Sequence, residues 1–162
     1  MVNVSDPFDG VGIKIDAFLA DSAQVSDGKI SALGLGWGVL NVSDLPVIHP
    51  VLSLAMMVHV PYSDTDVEHD LNIQLHDQDG APQPMSLFQT PDGQIGAAMD
   101  LNAKFKVDRI PGAPVGDDIN MPLVIPVQNL RFEKEGMYSW VISVNTVPVN
   151  RIPLRVSVIP QQ

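Results

Sequence analysis

The chain contains no cysteine, which removes thiol catalysis, disulfides and thiolate metal ligation together. Basic residues are scarce: nine Lys and Arg against nineteen Asp and Glu give a net charge of −10 and a pI near 4.5. Phosphate backbones and anionic bilayers are recognised by clustered cations, so neither nucleic acid nor membrane is an expected partner. Glutamate is nearly missing, at 3 against 16 aspartates. Because Glu favours helix interiors and Asp bonds its own backbone in turns, that imbalance argues against helices. The longest apolar run, around Val51–Val60, is too short for a membrane-spanning helix. The N-terminal ten residues lack both a basic stretch and an apolar one, so no signal peptide is visible. The expected location is cytoplasmic, with association to a virion or other particle as a second possibility.

What the chain does hold is β-forming. Valine and isoleucine number 33 against 14 leucines, with 14 prolines and 12 glycines as punctuation. Branched side chains pack well on pleated sheet and lose rotamers in helices. At 162 residues the chain fits one domain. The expected organisation is an irregular arm over 1–12 and a single domain over 13–162. Charge is uneven: residues 1–100 carry 2 basic and 14 acidic groups, residues 101–162 carry 7 and 5. Such a split suits head-to-tail association as well as solubility.

Period-2 stretches mark the strands. Ile13–Val25 ends at Asp27-Gly28, a two-residue hairpin signal, and Ile30–Leu40 is the expected return strand. Asn41–Pro50 reads as a turn-rich connection, and Val51–Pro61, apolar on both faces, as a covered central strand. In Val67–His76, Leu71, Ile73 and Leu75 alternate with Asn72, Gln74 and His76, as on a half-exposed antiparallel strand. Met85–Gln89 is its expected short partner. Ile95–Val107 follows, with a break near Gly96-Ala97-Ala98, then a long loop over Arg109–Asp118. Ile119–Val127 carries Pro122 and Pro126 and should lie at an edge. The last strands are Met137–Asn145 and Ile152–Ile159. This spacing predicts an all-β fold, an immunoglobulin-like antiparallel β-sandwich of about 8–10 strands. Tyr138, two residues past Gly136 at the start of the penultimate strand, is placed to bond back to the preceding corner.

Three blocks carry a resemblance. They are Ala20–Val25 with Asp27-Gly28-Lys29 and Leu33-Gly34-Leu35-Gly36-Trp37; Leu71–Leu75 with Asp77, Asp79 and Gly80; and Leu130–Trp140 with Ile152–Val156. Together they resemble a family of uncharacterised bacterial, actinobacteria-rich β-sandwich proteins, a domain of unknown function. The resemblance implies no activity, cofactor or catalytic residue. Residues 90–118 fall outside these blocks and read as an insertion.

Candidate chemistry is thin. Asp64, Asp66, Glu68 and Asp70, with Asp77, Asp79 and Asp117-Asp118, offer oxygens to a hard cation. However, Asp77-Gln78-Asp79-Gly80 fails the EF-hand pattern, with Leu75 and Ser86 at its end positions. His69 and His76 are seven apart, which puts them on opposite faces of one strand. His59 sits in an apolar run and reads as a satisfied core or interface side chain. No Gly-x-Ser-x-Gly elbow is present. No catalytic residue, metal ligand or cofactor is therefore expected. Gly34-x-Gly36-x-Gly38 on a strand would put three glycines on one face, either under a large side chain of the same chain or as a shelf for a partner. Leu123, Val124 and Ile125 make the proline-bearing strand apolar on both faces, which demands a cover. The expected function is a non-catalytic binding or assembly module, a structural or accessory subunit of a larger complex. Its partner would be another protein or a second copy, met through Gly34, Gly36, Gly38, Leu123, Val124 and Ile125. The alternative is a calcium-dependent or carbohydrate-type ligand-binding sandwich using the acidic loops.

Overall fold

A computed structural model describes residues 12–160, so the expected arm over 1–12 lies outside the described residues except for Gly12. The fold is all-β, with several sheets that include a curled half-barrel. Thirteen strands occur among the described residues, more than the expected eight to ten because several expected strands are broken into short ones. They are β1 (Lys14–Ala20), β2 (Ser22–Ser26), β3 (Lys29–Leu33), β4 (Val39–Val42), β5 (Val47–Val60), β6 (Glu68–His76), β7 (Pro82–Gln83), β8 (Ser86–Gln89), β9 (Ile95–Ala98), β10 (Asp100–Lys106), β11 (Ile119–Phe132), β12 (Gly136–Val144) and β13 (Val147–Val158). The one helical element described is a single 3-10 turn, Tyr62–Asp64.

One sheet has the order β1-β5-β11, all antiparallel; a larger one runs β10-β6-β12-β13-β4, with β7 also paired to β6. Two hairpins, β2–β3 and β8–β9, are hydrogen-bonded into neither sheet. The Asp27-Gly28 signal is realised: both residues have positive φ (51° and 67°) and Ser26 pairs with Lys29. Alternation decides what is buried. Leu52, Leu54, Met56, Val58 and Val60 of β5 meet Leu71, Ile73 and Leu75 of β6 and Tyr138, Trp140 and Ile142 of β12 in one core. At roughly 25 cal/mol per Å² of apolar surface, burying such side chains is the main term holding the two sheets together. Along one seam β1 runs beside β13, where Asn150 Nδ2 donates to the Ile15 carbonyl at 2.6 Å.

Six expectations need correction. Asn41–Pro50 is not a connection throughout, because β4 runs to Val42 and β5 already starts at Val47. Nor is the pairing antiparallel everywhere, since β4 lies parallel to β13. Ile13–Val25 breaks at Asp21, where the chain turns out of the sheet into the β2–β3 hairpin. The return strand stops at Leu33: residues 34–38 form a loop in which Gly34 and Gly36 have positive φ (62° and 94°), incompatible with the pleat. The three glycines therefore do not share a strand face. The partner of β8 is β9, not the 67–76 strand, whose short partner is β7. Finally, β10 lies within 90–118 yet forms the edge of the larger sheet, so that segment is not wholly an appendage.

Candidate functional site

Register on the three-stranded sheet fixes an outward face. Its rows across β1, β5 and β11 are Lys14–His59–Asn120, Asp16–Met57–Pro122, Phe18–Ala55–Val124 and Ala20–Ser53–Pro126. The β2–β3 hairpin folds back over part of this face and packs against β5 and β11. Ser53 and Ala55 are thereby buried although they point away from the main core. Between hairpin and sheet remains a groove of ≈ 380 Å³, walled by Phe18, Ala55 and Met57 on the sheet, Ile30 and Ala32 on β3, and Leu35 from the glycine loop. Phe18 and Leu35 are still 49% and 53% exposed. Asp16 is the charged side chain in the lining.

At that end stands a polar bridge. His59 Nε2 lies 2.8 Å from Asp16 Oδ2, and Nδ1 lies 2.7 Å from Asn120 Oδ1. The bond to Asp16 raises the imidazole pKa above its ordinary value; partial burial opposes the shift, and the Asn120 bond and the charges of Asp16 and Asp118 add to it. His59 thus has a partner at each ring nitrogen, on the outward face of the sheet and not in the core.

The expected partner-facing residues fall on different surfaces. On β11, Leu123 and Ile125 share the parity of the core-facing residues and pack against the core, while Val124 faces outward and is half-buried. β11 is indeed an edge strand, and the chain itself covers much of it, through the core and the β2–β3 hairpin. Pro122 and Pro126 share one backbone phase, so their ring nitrogens, which have no hydrogen to donate, turn to the free edge. The glycine loop is tied inward. The Gly36 amide donates to the Leu19 carbonyl (2.8 Å), and the Gly38 carbonyl accepts from the Arg155 amide (3.0 Å). The Asp21 carboxylate lies where a Cβ on Gly34 would sit and accepts from Trp37 Nε1 at 2.7 Å. Of the loop residues, Leu35 reaches the groove.

Carboxylates of the acidic loops are occupied with backbone amides. Asp77 Oδ1 accepts from the amides of Asp79 and Ala81 (2.9 Å each), and Asp66 Oδ1 from the Arg109 amide (2.9 Å). No group of three or more His, Asp or Glu side chains among the described residues is gathered as a metal site. His69 faces the core and His76 the outside, as their spacing requires. Both His69 nitrogens are used, Nε2 with the Asp64 carbonyl (2.8 Å) and Nδ1 with Asn145 Nδ2 (3.0 Å). A second depression of ≈ 840 Å³ lies on the larger sheet among Asp70, Asn72, Asn102, Lys104, Ser143 and Thr146. Its polar groups bond one another: Asn72 Nδ2 donates to Asn102 Oδ1 (2.8 Å) and Asp100 Oδ2 (3.0 Å).

Sequence reasoning missed the groove. Phe18, Met57 and Ile30 are far apart in the chain, and only the backward fold of the Asp27-Gly28 hairpin brings them together. The signal within reach was the outward parity of Asp16 and Phe18 on β1.

Two solved structures are similar over 91% of this chain. One is the Pseudomonas fluorescens alkylpurine DNA glycosylase AlkC bound to DNA containing an abasic site analog (9% identity, 31% of that chain, TM-score 0.38). The other is a family 123 glycoside hydrolase from Clostridium perfringens (11% identity, 28% of that chain, TM-score 0.32). The chain thus spans less than a third of either, and scores this low carry no functional argument. No curated protein matches it. Residues 15–157, most of the chain and including the groove, match one family model, and the protein belongs to that family of unknown function, DUF6941.

Proposed function

We propose that this chain is a non-catalytic binding and assembly module on an immunoglobulin-like sandwich, serving as an accessory or structural subunit of a larger protein complex. The observation that carries the functional reading is the groove: an apolar surface on the outside of a sheet, left open between Phe18 and Leu35. Contiguous exposed apolar surface is costly in water and marks contact sites. Because the groove is built from the acidic first hundred residues and has Asp16 at its end, it suits an apolar segment that carries a basic residue. The Asp16–His59–Asn120 bridge has no Ser, Thr or Cys in its bonding, so the imidazole has no hydroxyl or thiol to activate.

The sandwich reading is supported by strand order. Taking β1, β5, β6, β11, β12 and β13 as strands A, B, C, E, F and G puts A-B-E in one sheet and C-F-G in the other, the partition of that fold. Tyr138 at the start of β12 supports it too, its hydroxyl donating to the Lys134 carbonyl at 2.8 Å.

The test is light scattering at micromolar concentration together with native co-purification and mass spectrometry, on the wild type, Phe18→Asp and Val124→Lys. The expected result is association with a second copy or a defined partner that Phe18→Asp abolishes while far-UV circular dichroism is unchanged. A monomer whose co-purification profile neither substitution alters overturns the reading. Association that appears only with added calcium favours the acidic loops instead.

A further inference from the structure

His59 is flanked by two oxygen acceptors, Asp16 Oδ2 on β1 and Asn120 Oδ1 on β11, at 2.8 and 2.7 Å. A neutral imidazole has one N–H and one lone pair, so it satisfies one of these contacts and opposes a lone pair to the other unless the Asn120 amide turns over. The imidazolium donates to both. We infer that His59 is a protonation-dependent clasp, whose imidazolium ties the edge strands β1 and β11 to β5 at the end of the apolar groove and whose deprotonation releases β11.

Of the surrounding charges, the two carboxylates favour the imidazolium and the Lys14 ammonium opposes it. From β1, Lys14 stands directly across from His59 and Asp16 one diagonal step away; from β11 comes the neutral Asn120; and the Asp118 carboxylate favours the cation from just before β11. The clasp sits where β11 starts, one residue past Ile119. The His59 contacts are the side-chain hydrogen bonds that join β1 and β11 to β5 at this end. The inference concerns the strand edges and holds whether or not the groove receives a partner.

Sign follows from linkage. A histidine with a folded-state pKa above its unfolded value stabilises fully below the unfolded value, and the effect is lost as pH rises through the folded one. In a ring-proton titration by NMR, with the His59 signals assigned by His59→Gln, His59 should titrate above the ordinary histidine value. Asp16→Asn should move its midpoint down. Amide exchange at Ile119, Met121 and Leu123, corrected for intrinsic rates, should accelerate as pH passes that midpoint in the wild type and stay flat in His59→Gln. If His59→Gln does not fold, Asp16→Asn provides the same comparison with the ring retained. A His59 midpoint at or below the ordinary value overturns the inference, as does protection of those amides that ignores the midpoint.

Discussion

On the outward side of the three-stranded sheet the row Asp16–Met57–Pro122 is followed by Phe18–Ala55–Val124; on the larger sheet the outward rows include Lys104–Asp70 and Asn102–Asn72–Ser143. Both sheets follow the same alternation and bury the same kind of inner face. Their outer faces differ because one is roofed and the other is not. The β2–β3 hairpin turns Ala55 and Ser53 into a second, small interior, and the groove is the part it leaves uncovered. The larger sheet meets water and answers it with bonded amides and with Lys104 Nζ paired to Glu68 Oε1 at 2.7 Å, an exposed pair that salt screens. Order on one side comes from apolar contact, on the other from hydrogen bonds and charge.

The largest effect that would break this contrast comes from placing the same charge on each face. Ala55→Asp puts a carboxylate with no partner at a position 3% exposed, and should destabilise by at least about 3 kcal/mol. Asn102→Asp, on the exposed outer row of β10, keeps the oxygen that accepts from Asn72 and should stay within about 0.5 kcal/mol. Urea denaturation midpoints decide the matter. Equal losses would mean that the hairpin does not roof the face.

Much of this division was legible in the sequence. The alternation of Leu71, Ile73 and Leu75 with Asn72 and Gln74 gave β6 its faces, and the apolar run at Val51–Val60 marked the central strand. Pro122 and Pro126 marked the edge, and Tyr138 the corner. What stayed hidden was tertiary placement. Gly34, Gly36 and Gly38 alternate as a strand would, but positive φ at the first two reflects bonds to Leu19 and the lie of Asp21, partners that spacing does not reveal. Likewise, Leu123, Val124 and Ile125 look equally exposed as a run, and only pairing with β5 sends two of them inward.

The glycine loop supplies the next test, since it carries Leu35 into the groove. Gly34→Ala meets both a left-handed backbone and the Asp21 carboxylate held by Trp37, and should cost about 1–3 kcal/mol. Gly38→Ala has open space and no positive φ, so its effect should stay within about 0.5 kcal/mol. Thermal unfolding of both variants reads the difference directly. A neutral Gly34→Ala would show that the loop is not pinned, and that the groove wall it forms is not fixed.

The smallest expected effect lies at the corner before β12 of the larger sheet, where one polar bond accompanies the core packing of Tyr138. The Tyr138 hydroxyl donates to the Lys134 carbonyl at 2.8 Å while its ring packs edge-on against Phe132, with centroids 5.0 Å apart. Burial pushes the phenol pKa up, so the neutral, donating form persists across ordinary pH. Tyr138→Phe retains the ring and its contact with Phe132 and removes only the donor, isolating the bond from the packing. The net worth of such a bond is about 0.5–1.5 kcal/mol, and the loss should be the same at pH 6 and pH 8 because the phenol stays neutral at both. A midpoint unchanged within error would mean that Phe132 and the core hold this corner without the bond. The inner face of the larger sheet would then depend on apolar contact alone, as that of its neighbour does.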